Sequence, residues 1–410
     1  MPLSYLTPGV YVEEISAGPR PIQAVGTSTA AFLGEAPDAT ARLNEGVAIN
    51  SWSQFLKEYV PAKASGTPLS QAVFGFFQNG GRRCYCVNVG KGQPIAGGGR
   101  ERKGIDVLEE IDEVNIVAAP GYTKPEDYEA LLSHCEKLKN RIAILDAPQE
   151  VDNVDLLTQV GSAPAAPKAG KTGGAGGDDK GTTPPAKTGL RPRVSDRGYG
   201  AYYFPWITVR DPLSPDNLVD VPPCGHLAGI YARTDATRGV QHAPAGENIR
   251  GVLNLTYPVT DAEQGMLNQS GVNCLRFFPR EGPLVWGART VADGASEWRY
   301  INVRRLFIMI EESIIRATRW VVFEPNDMAL WKAIRRDISA FLTLVWRDGA
   351  LMGATPQEAF FVQCDAETNP PEVIDAGQVV TLIGLAPVKP AEFIIFRIGQ
   401  HAGGAEIEAA

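Results

Sequence analysis

The spacing of apolar and polar positions divides this chain into short strands alternating with helices of 3.6-residue period. Thr7-Pro8-Gly9-Val10-Tyr11-Val12-Glu13-Glu14-Ile15 opens on turn residues and runs into β-formers. The linker Ser16-Ala17-Gly18-Pro19-Arg20-Pro21 follows, kept out of helix by its prolines, and a second extended run covers Gly26 to Leu33. Short helices are predicted at Trp52 to Tyr59 and Leu69 to Gln78, then a strand at Cys84 to Val89 after the turn Asn79-Gly80-Gly81. Val114 to Ala118, Pro125 to Lys139 and Ile142 to Leu145 read as strand, helix and strand. Pro125 takes the first helical position, where its missing N–H costs nothing, and Leu131, Leu132, Cys135 and Leu138 share one face. Such a unit implies parallel strands joined by a right-handed crossover.

Gly161 to Gly189 interrupts the pattern, with eight glycines, four prolines and no apolar residue larger than alanine. Burial there cannot offset the entropy of ordering, so a flexible surface insertion is expected. Ala201 to Val209 reads as one strand. Arg299 to Phe323 and Asp327 to Trp346 are long helical patterns split at Glu324-Pro325-Asn326, with Asn326 or Asp327 available as a cap. Strands follow at Ala359 to Cys364, Gln378 to Leu385 and Glu392 to Ile398. The last two, separated by Ala386-Pro387-Val388-Lys389-Pro390, suggest a hairpin. The pattern as a whole predicts a mixed α/β (α+β) chain. Its expected parts are an N-terminal strand and linker over 1–21, an α/β body over 22–298 and a C-terminal core domain over 299–410.

A length of 410 residues exceeds what one hydrophobic core usually serves, so two or three domains are expected, and 44% hydrophobic with 21% charged residues is ordinary globular usage. The net charge of −8 argues against a general nucleic-acid binder, which needs surplus Lys and Arg. Cys84, Cys86, Cys135, Cys224, Cys274 and Cys364 form no C-x-x-C pair and sit in apolar runs, as buried reduced thiols do. His134, His226, His242 and His401 lack partners at ligand spacing, so no metal is expected. No 18-residue apolar stretch and no signal-like opening occur, so folding in a reducing cytoplasm without membrane insertion is expected.

Catalytic chemistry has little to stand on. Gly170-Lys171-Thr172 lacks the glycine five residues upstream that a phosphate loop requires, that position being Ala165. Glu13-Glu14 and Glu311-Glu312 are adjacent pairs whose carboxylates diverge, on a strand or a helix alike. No nucleophile elbow is present, and no cofactor is expected. An α/β nucleotide-using enzyme built on Val114 to Leu145 remains the alternative, and an unrelated surface-lattice protein a third. Charge distribution says more. Arg299 to Arg347 carries nine Lys/Arg against five Asp/Glu, while Phe360 to Ala410 carries two against seven. Opposite signs on a helical body and a terminal segment suit contacts between copies, as they suit two solvated faces. Val10, Val12 and the run Phe393-Ile394-Ile395-Phe396 are strand-forming ends that either pair within the chain or complete a neighbour's sheet.

The opening Thr7 to Ile15 resembles the N-terminal signature of contractile-tail sheath proteins, found in phage tails and related bacterial injection particles. The resemblance continues through Thr27 to Gly34, Gly81 to Tyr85, Tyr202 to Trp206, Pro222 to Gly229 with Tyr231, and Val285-Trp286-Gly287-Ala288-Arg289-Thr290. It closes with Tyr300 to Arg305, Phe323 to Asn326, Gly384 to Pro387 and Pro390-Ala391-Glu392-Phe393-Ile394. It implies a non-enzymatic subunit of a helical sheath around an inner tube, built extended and triggered to shorten. The implied partners are other copies of itself, the inner tube protein, and baseplate and terminator or cap proteins. The implied place is the bacterial cytoplasm during assembly, then a phage tail or a phage-like particle released outside the cell. Terminal strands of neighbours complete a small C-terminal sheet in that family. Here the resemblance implies donated strands at Val10, Tyr11, Val12, Glu13 and Ile15 and at Phe393, Ile394, Ile395, Phe396 and Ile398. They would be received beside Val379, Val380 and Leu382, with Ser16 to Pro21 and Ala366 to Ala376 as hinges. Lys332, Arg335 and Arg336 are candidates to face the inner tube.

Overall fold

A computed structural model of the chain describes residues 21–98, 101–161 and 189–395. The predicted strand Val10 to Ile15, positions 162–188 of the insertion, and Phe396 and Ile398 lie outside the described residues. The first elements are β1 (Ala30–Gly34), β2 (Val47–Ile49), α1 (Trp52–Tyr59), α2 (Pro68–Gln78) and β3 (Cys84–Asn88). Next come β4 (Ile116–Ala118), α3 (Pro125–Leu138), β5 (Ile142–Asp146) and β6 (Gly200–Phe204). Then follow β7 (Ile207–Asp211), β8 (Ser214–Val221), α4 (Cys224–Arg238), β9 (Val252–Leu255), α5 (Asp261–Gln269), β10 (Val272–Phe278) and β11 (Gly282–Trp286).

These elements form a mixed α/β body around an eight-stranded sheet ordered β11-β10-β6-β5-β4-β1-β3-β2. The six inner strands run parallel, and β2 and β11 close the two edges antiparallel. Every residue of β1, β3, β4, β5 and β6 is buried, so these strands are mostly apolar runs without alternation, with Asn88 and Asp146 as polar ends of β3 and β5. The parallel pairing of β4 with β5 across α3 is the crossover unit expected from the sequence. Helices α2 and α4 meet almost backbone to backbone. A Cβ at Gly225 would overlap the backbone of Ala72, and one at Gly229 would lie 2.5 Å from the Phe76 carbonyl oxygen. All six cysteines are buried unpaired thiols.

One predicted strand proved to be two. Gly200–Phe204 pairs in the large sheet, whereas Ile207–Asp211 lies between β8 and β9 in a separate three-stranded sheet. Pro205 has no N–H to give a ladder, so the chain changes sheets there.

The remaining elements are α6 (Ile301–Ala317), α7 (Met328–Arg347), α8 (Pro356–Ala359), β12 (Phe360–Gln363), α9 (Pro371–Asp375) and β13 (Leu382–Leu385). The first helix ends earlier than its periodicity suggested, at Ala317, with a 3-10 turn at Arg319–Val321 beyond it. Asp327 caps α7, its Oδ1 accepting from the Leu330 N–H at 2.9 Å. Leu306, Met309 and Ile310 of α6 pack with Leu330, Trp331, Ile334, Ile338, Phe341, Leu342 and Val345 of α7 in a second core, which Ile22 and Val240 also join. Ile301 and Ile308 of the same α6 belong to the larger core instead. One amphipathic helix therefore feeds both.

Arg305 fixes that helix in place. It is 3% exposed and forks onto Asp235 of α4, Nη1 to Oδ1 at 2.8 Å and Nη2 to Oδ2 at 2.5 Å. It also donates to the Thr27 carbonyl at 3.0 Å, while the Thr27 hydroxyl donates to Asp235 at 2.5 Å. Its guanidinium lies 4.8 Å from the Tyr231 ring centroid. Removing one member of a buried, fully bonded pair strands the other. Arg305→Met should cost about 3–5 kcal/mol of unfolding free energy by urea titration, and adding Asp235→Asn should recover part of it.

Candidate assembly interface

The β12–β13 pair is the smallest sheet in the fold, joined antiparallel with Phe360 opposite Leu385 and Gln363 opposite Leu382. Phe360, Val362, Ile383 and Leu385 lie half-buried against the second core. Phe361 and Leu382 turn the other way and are 53% and 52% exposed. The Phe361 ring lies across Gly384, where any Cβ would overlap it. Each of these strands has one strand partner among the described residues, so their outer edges carry open backbone groups. Two strands alone are marginal in water; this pair is supported by α7 beneath it.

The strand predicted from Gln378 begins only at Leu382. Asn369, 1% exposed, explains the late start: its side chain accepts from the Val380 N–H at 2.7 Å and donates to the Val380 carbonyl at 3.1 Å. At Val380 an amide side chain thus replaces a strand neighbour, and Val379 lies in the same non-strand stretch. The predicted hairpin between Gln378 to Leu385 and Glu392 to Ile398 is also absent among the described residues. Leu382–Leu385 pairs with Phe360–Gln363, and positions 391–395 belong to no strand.

Beyond β13 the chain is held at intervals. Ala386 N–H donates to the Ala359 carbonyl, Met352 N–H to that of Ala386, and Val388 N–H to that of Ala350. Glu392 then meets Arg289, with Nε–Oε1 at 2.9 Å and Nη2–Oε2 at 2.5 Å. Their side chains are 14% and 12% exposed. Phe393, Ile394 and Ile395 follow at 74%, 74% and 77% exposure, three large apolar residues in succession with their sides in water. A cleft of about 930 Å³ opens at their root, walled by Trp286, Asn302, Lys389, Phe393 and Ile394 among others.

Lys332, Arg335 and Arg336 come together on the outer face of α7, with exposed Met328 and Arg347 on the same side. Arg336 pairs with Asp337 at 2.9 Å, and Lys332 and Arg335 form no ion pair among the described residues. The face is a basic stripe on a twenty-residue helix.

Comparison with known proteins adds two domains and several relatives. Residues 195–291 match the phage tail sheath protein central domain, and 293–400 the phage tail sheath C-terminal domain, together half of the chain. The chain belongs to the phage tail sheath family. The tail sheath protein of Vibrio phage KVP40 is 34% identical over 177 residues, which is 42% of this chain and 26% of that relative. The sheath chain therefore spans about a quarter of that relative's length. Among solved structures, the sheath of the PVC extracellular contractile injection system in its contracted state matches with TM-score 0.75 at 28% identity, over 98% of this chain and 99% of that one. The contracted helical sheath of the anti-feeding prophage gives TM-score 0.73 at 29% identity, over 97% of this chain and 100% of that one.

The alternative enzyme reading finds no support in these relatives. The titratable group that strand–helix–strand chemistry would use is Asp146, at the end of β5 and 2% exposed. Its Oδ1 accepts from the Cys224 N–H at 2.9 Å, at the start of α4, and Oδ2 has no hydrogen-bond partner among the described residues. Burial pushes its carboxyl up to about 7. In this sheath protein it acts as a buried anchor for a helix end. His134 and His226 shift the other way, burial holding both near about 4. Among the described residues no cluster of His, Cys, Asp and Glu is arranged to hold a metal ion.

A carboxyl whose folded pKa is raised lends stability at low pH and loses it as pH climbs from about 4 to about 7. Asp146→Asn keeps the acceptor for Cys224 and removes that loss. The variant should be more stable than the parent by about 1–3 kcal/mol at pH 8, with the gap closing towards pH 4. The histidine contributions are common to both proteins, so thermal unfolding across this range isolates the Asp146 effect.

Proposed function

We propose that this chain is the structural subunit of a contractile helical sheath around an inner tube, switching between extended and contracted lattices to drive the tube through a target envelope. The observation that carries this is a pair of features: the run Phe393-Ile394-Ile395 is exposed at the end of the described chain, and the two-stranded sheet has an open edge and exposed apolar residues, Phe361 and Leu382, on its outer face. Three such residues in water are a liability in a monomer and an asset in a strand that completes a neighbour's sheet. Phe393, Ile394, Ile395, Phe396 and Ile398 form the donated C-terminal strand, and Val10, Tyr11, Val12, Glu13 and Ile15 the N-terminal one. The β12–β13 pair receives them, at Leu382 rather than at Val380, whose backbone Asn369 occupies.

The chain divides accordingly into the strand and linker of 1–21, the body of 22–298 and the C-terminal core domain of 299–410. Each added ladder hydrogen bond contributes only about 0.5–1.5 kcal/mol, but a strand brings several and every subunit repeats them. The joined strands then hold while larger body-to-body contacts rearrange, a bistable packing that needs no nucleotide. The basic stripe of Lys332, Arg335 and Arg336 faces an acidic inner tube, and baseplate and cap proteins close the two ends. A phage-like injection particle is favoured over a large phage tail, because the PVC and anti-feeding prophage sheaths match along their whole length.

Negative-stain electron microscopy of purified protein should show wide hollow cylinders. Deleting 1–15, or everything after Pro390, should leave monomers with a near-parental unfolding transition; tubes from either truncation would sink the strand-donation reading. Lys332→Glu with Arg335→Glu and Arg336→Glu should leave tube-free assembly intact and weaken co-sedimentation with the purified inner tube protein at least tenfold. Unchanged co-sedimentation would remove this face from the tube contact.

A further inference from the structure

We infer that Arg289 is a positioning residue for the C-terminal strand: by clamping Glu392 it sets where that strand leaves the body and in which direction. The inference rests on the strand-donation reading and deepens it. Arg289 and Glu392 belong to the two sequence motifs Val285 to Thr290 and Pro390 to Ile394, and they meet across 103 residues of chain.

The clamp is a built one. A guanidinium fork on a carboxylate fixes orientation as well as distance, and at 12% and 14% exposure this pair is poorly screened by salt. Arg289 Nη1 also donates to the Asn268 carbonyl at 3.1 Å, and the Tyr300 hydroxyl donates to Glu392 Oε2 at 3.4 Å. The Arg289 backbone is itself held, donating to Asn273 Oδ1 and accepting from Asn273 Nδ2, each at 2.7 Å. Immediately past the clamp, exposure rises from 14% at the Glu392 side chain to 74% at Phe393. The bonded residue and the exposed run adjoin directly.

Upstream of Glu392 the last hold is Val388, whose N–H donates to the Ala350 carbonyl and whose carbonyl accepts from Asn302 Nδ2 at 3.3 Å. With the clamp, about four residues separate the anchor from the middle of the strand at 393–398; without it, about eight do. Effective concentration falls as roughly the −3/2 power of tether length, so doubling it costs about threefold, before any loss of direction is counted.

The test uses the full chain with Arg289→Met, Glu392→Gln and Arg289→Lys, beside the truncation after Pro390. The readouts are the lowest concentration giving tubes, the urea midpoint of the body, and hydrogen exchange of the Val388 amide, the last bonded N–H before the clamp. Arg289→Met and Glu392→Gln should raise the tube threshold about three- to tenfold and speed exchange at Val388, with the urea midpoint nearly unchanged. Arg289→Lys, which keeps the charge and loses the fork, should fall between. Parental thresholds in all three variants, with the truncation still unable to form tubes, would overturn the clamp and leave strand donation standing. A threshold that rises only in step with loss of body stability would also overturn it, by reducing the pair to a fold contact. Tubes from the truncation would instead overturn the donation reading beneath it.

Discussion

The buried contact of Arg305 with Asp235 and Thr27 is the constraint on which the rest of this molecule depends. Arg305 lies on α6, Asp235 on α4, and Thr27 a few residues after the N-terminal linker, so one guanidinium ties three distant parts of the chain. Burying a charge is costly unless its bonds are met, and here both carboxylate oxygens and a carbonyl meet them. Because α6 gives Ile301 and Ile308 to one core and Leu306, Met309 and Ile310 to the other, fixing α6 fixes the two cores against each other. Ile22 packs into the second core, so the point where the N-terminal segment leaves the body is set by the same arrangement.

Around that rigid junction the fold places a weakly completed edge. The large sheet has antiparallel strands at both ends and apolar runs within, and is satisfied by its own chain. The β12–β13 pair has no further strand partner among the described residues, and its exposed Phe361 and Leu382 match the apolar character of the exposed Phe393 to Ile395. Stable body and unfinished edge are a useful pairing for a lattice subunit, since the energy of joining stays outside the monomer until a neighbour arrives. Arg289 and Glu392 draw the line between the two.

Much of the architecture was legible in the sequence. Trp52 to Tyr59, Pro125 to Leu138 and the α7 pattern show helical spacing with capping residues, because amphipathic burial and end chemistry are both local. The strand–helix–strand unit was legible for the same reason. Ala201 to Val209 was not, because a run of β-formers looks alike whether it pairs in one sheet or two. Gln378 to Leu385 misled similarly: Val379 and Val380 are strand-formers, yet Asn369 satisfies the Val380 backbone from eleven positions away. The basic residues of α7 were visible as charges, while their gathering on one solvent face followed from which side of the helix the second core takes.

By itself the sequence determined the mixed α/β character, the two long C-terminal helices, the buried thiols and, through an ordered set of motifs, the sheath family. These follow from short-range spacing and residue type, which need no knowledge of what lies opposite. Tertiary structure alone decided the pairing of β13 with β12, the role of Asn369, the junction at Arg305 and the clamp between Arg289 and Glu392. Each joins residues distant in sequence through directional polar bonds, and a carboxylate or guanidinium reads the same in a sequence whether it faces water or a partner 103 residues away. The run Phe393-Ile394-Ile395, singled out as β-formers, thereby follows directly on a bonded Glu392 with its own side chains exposed.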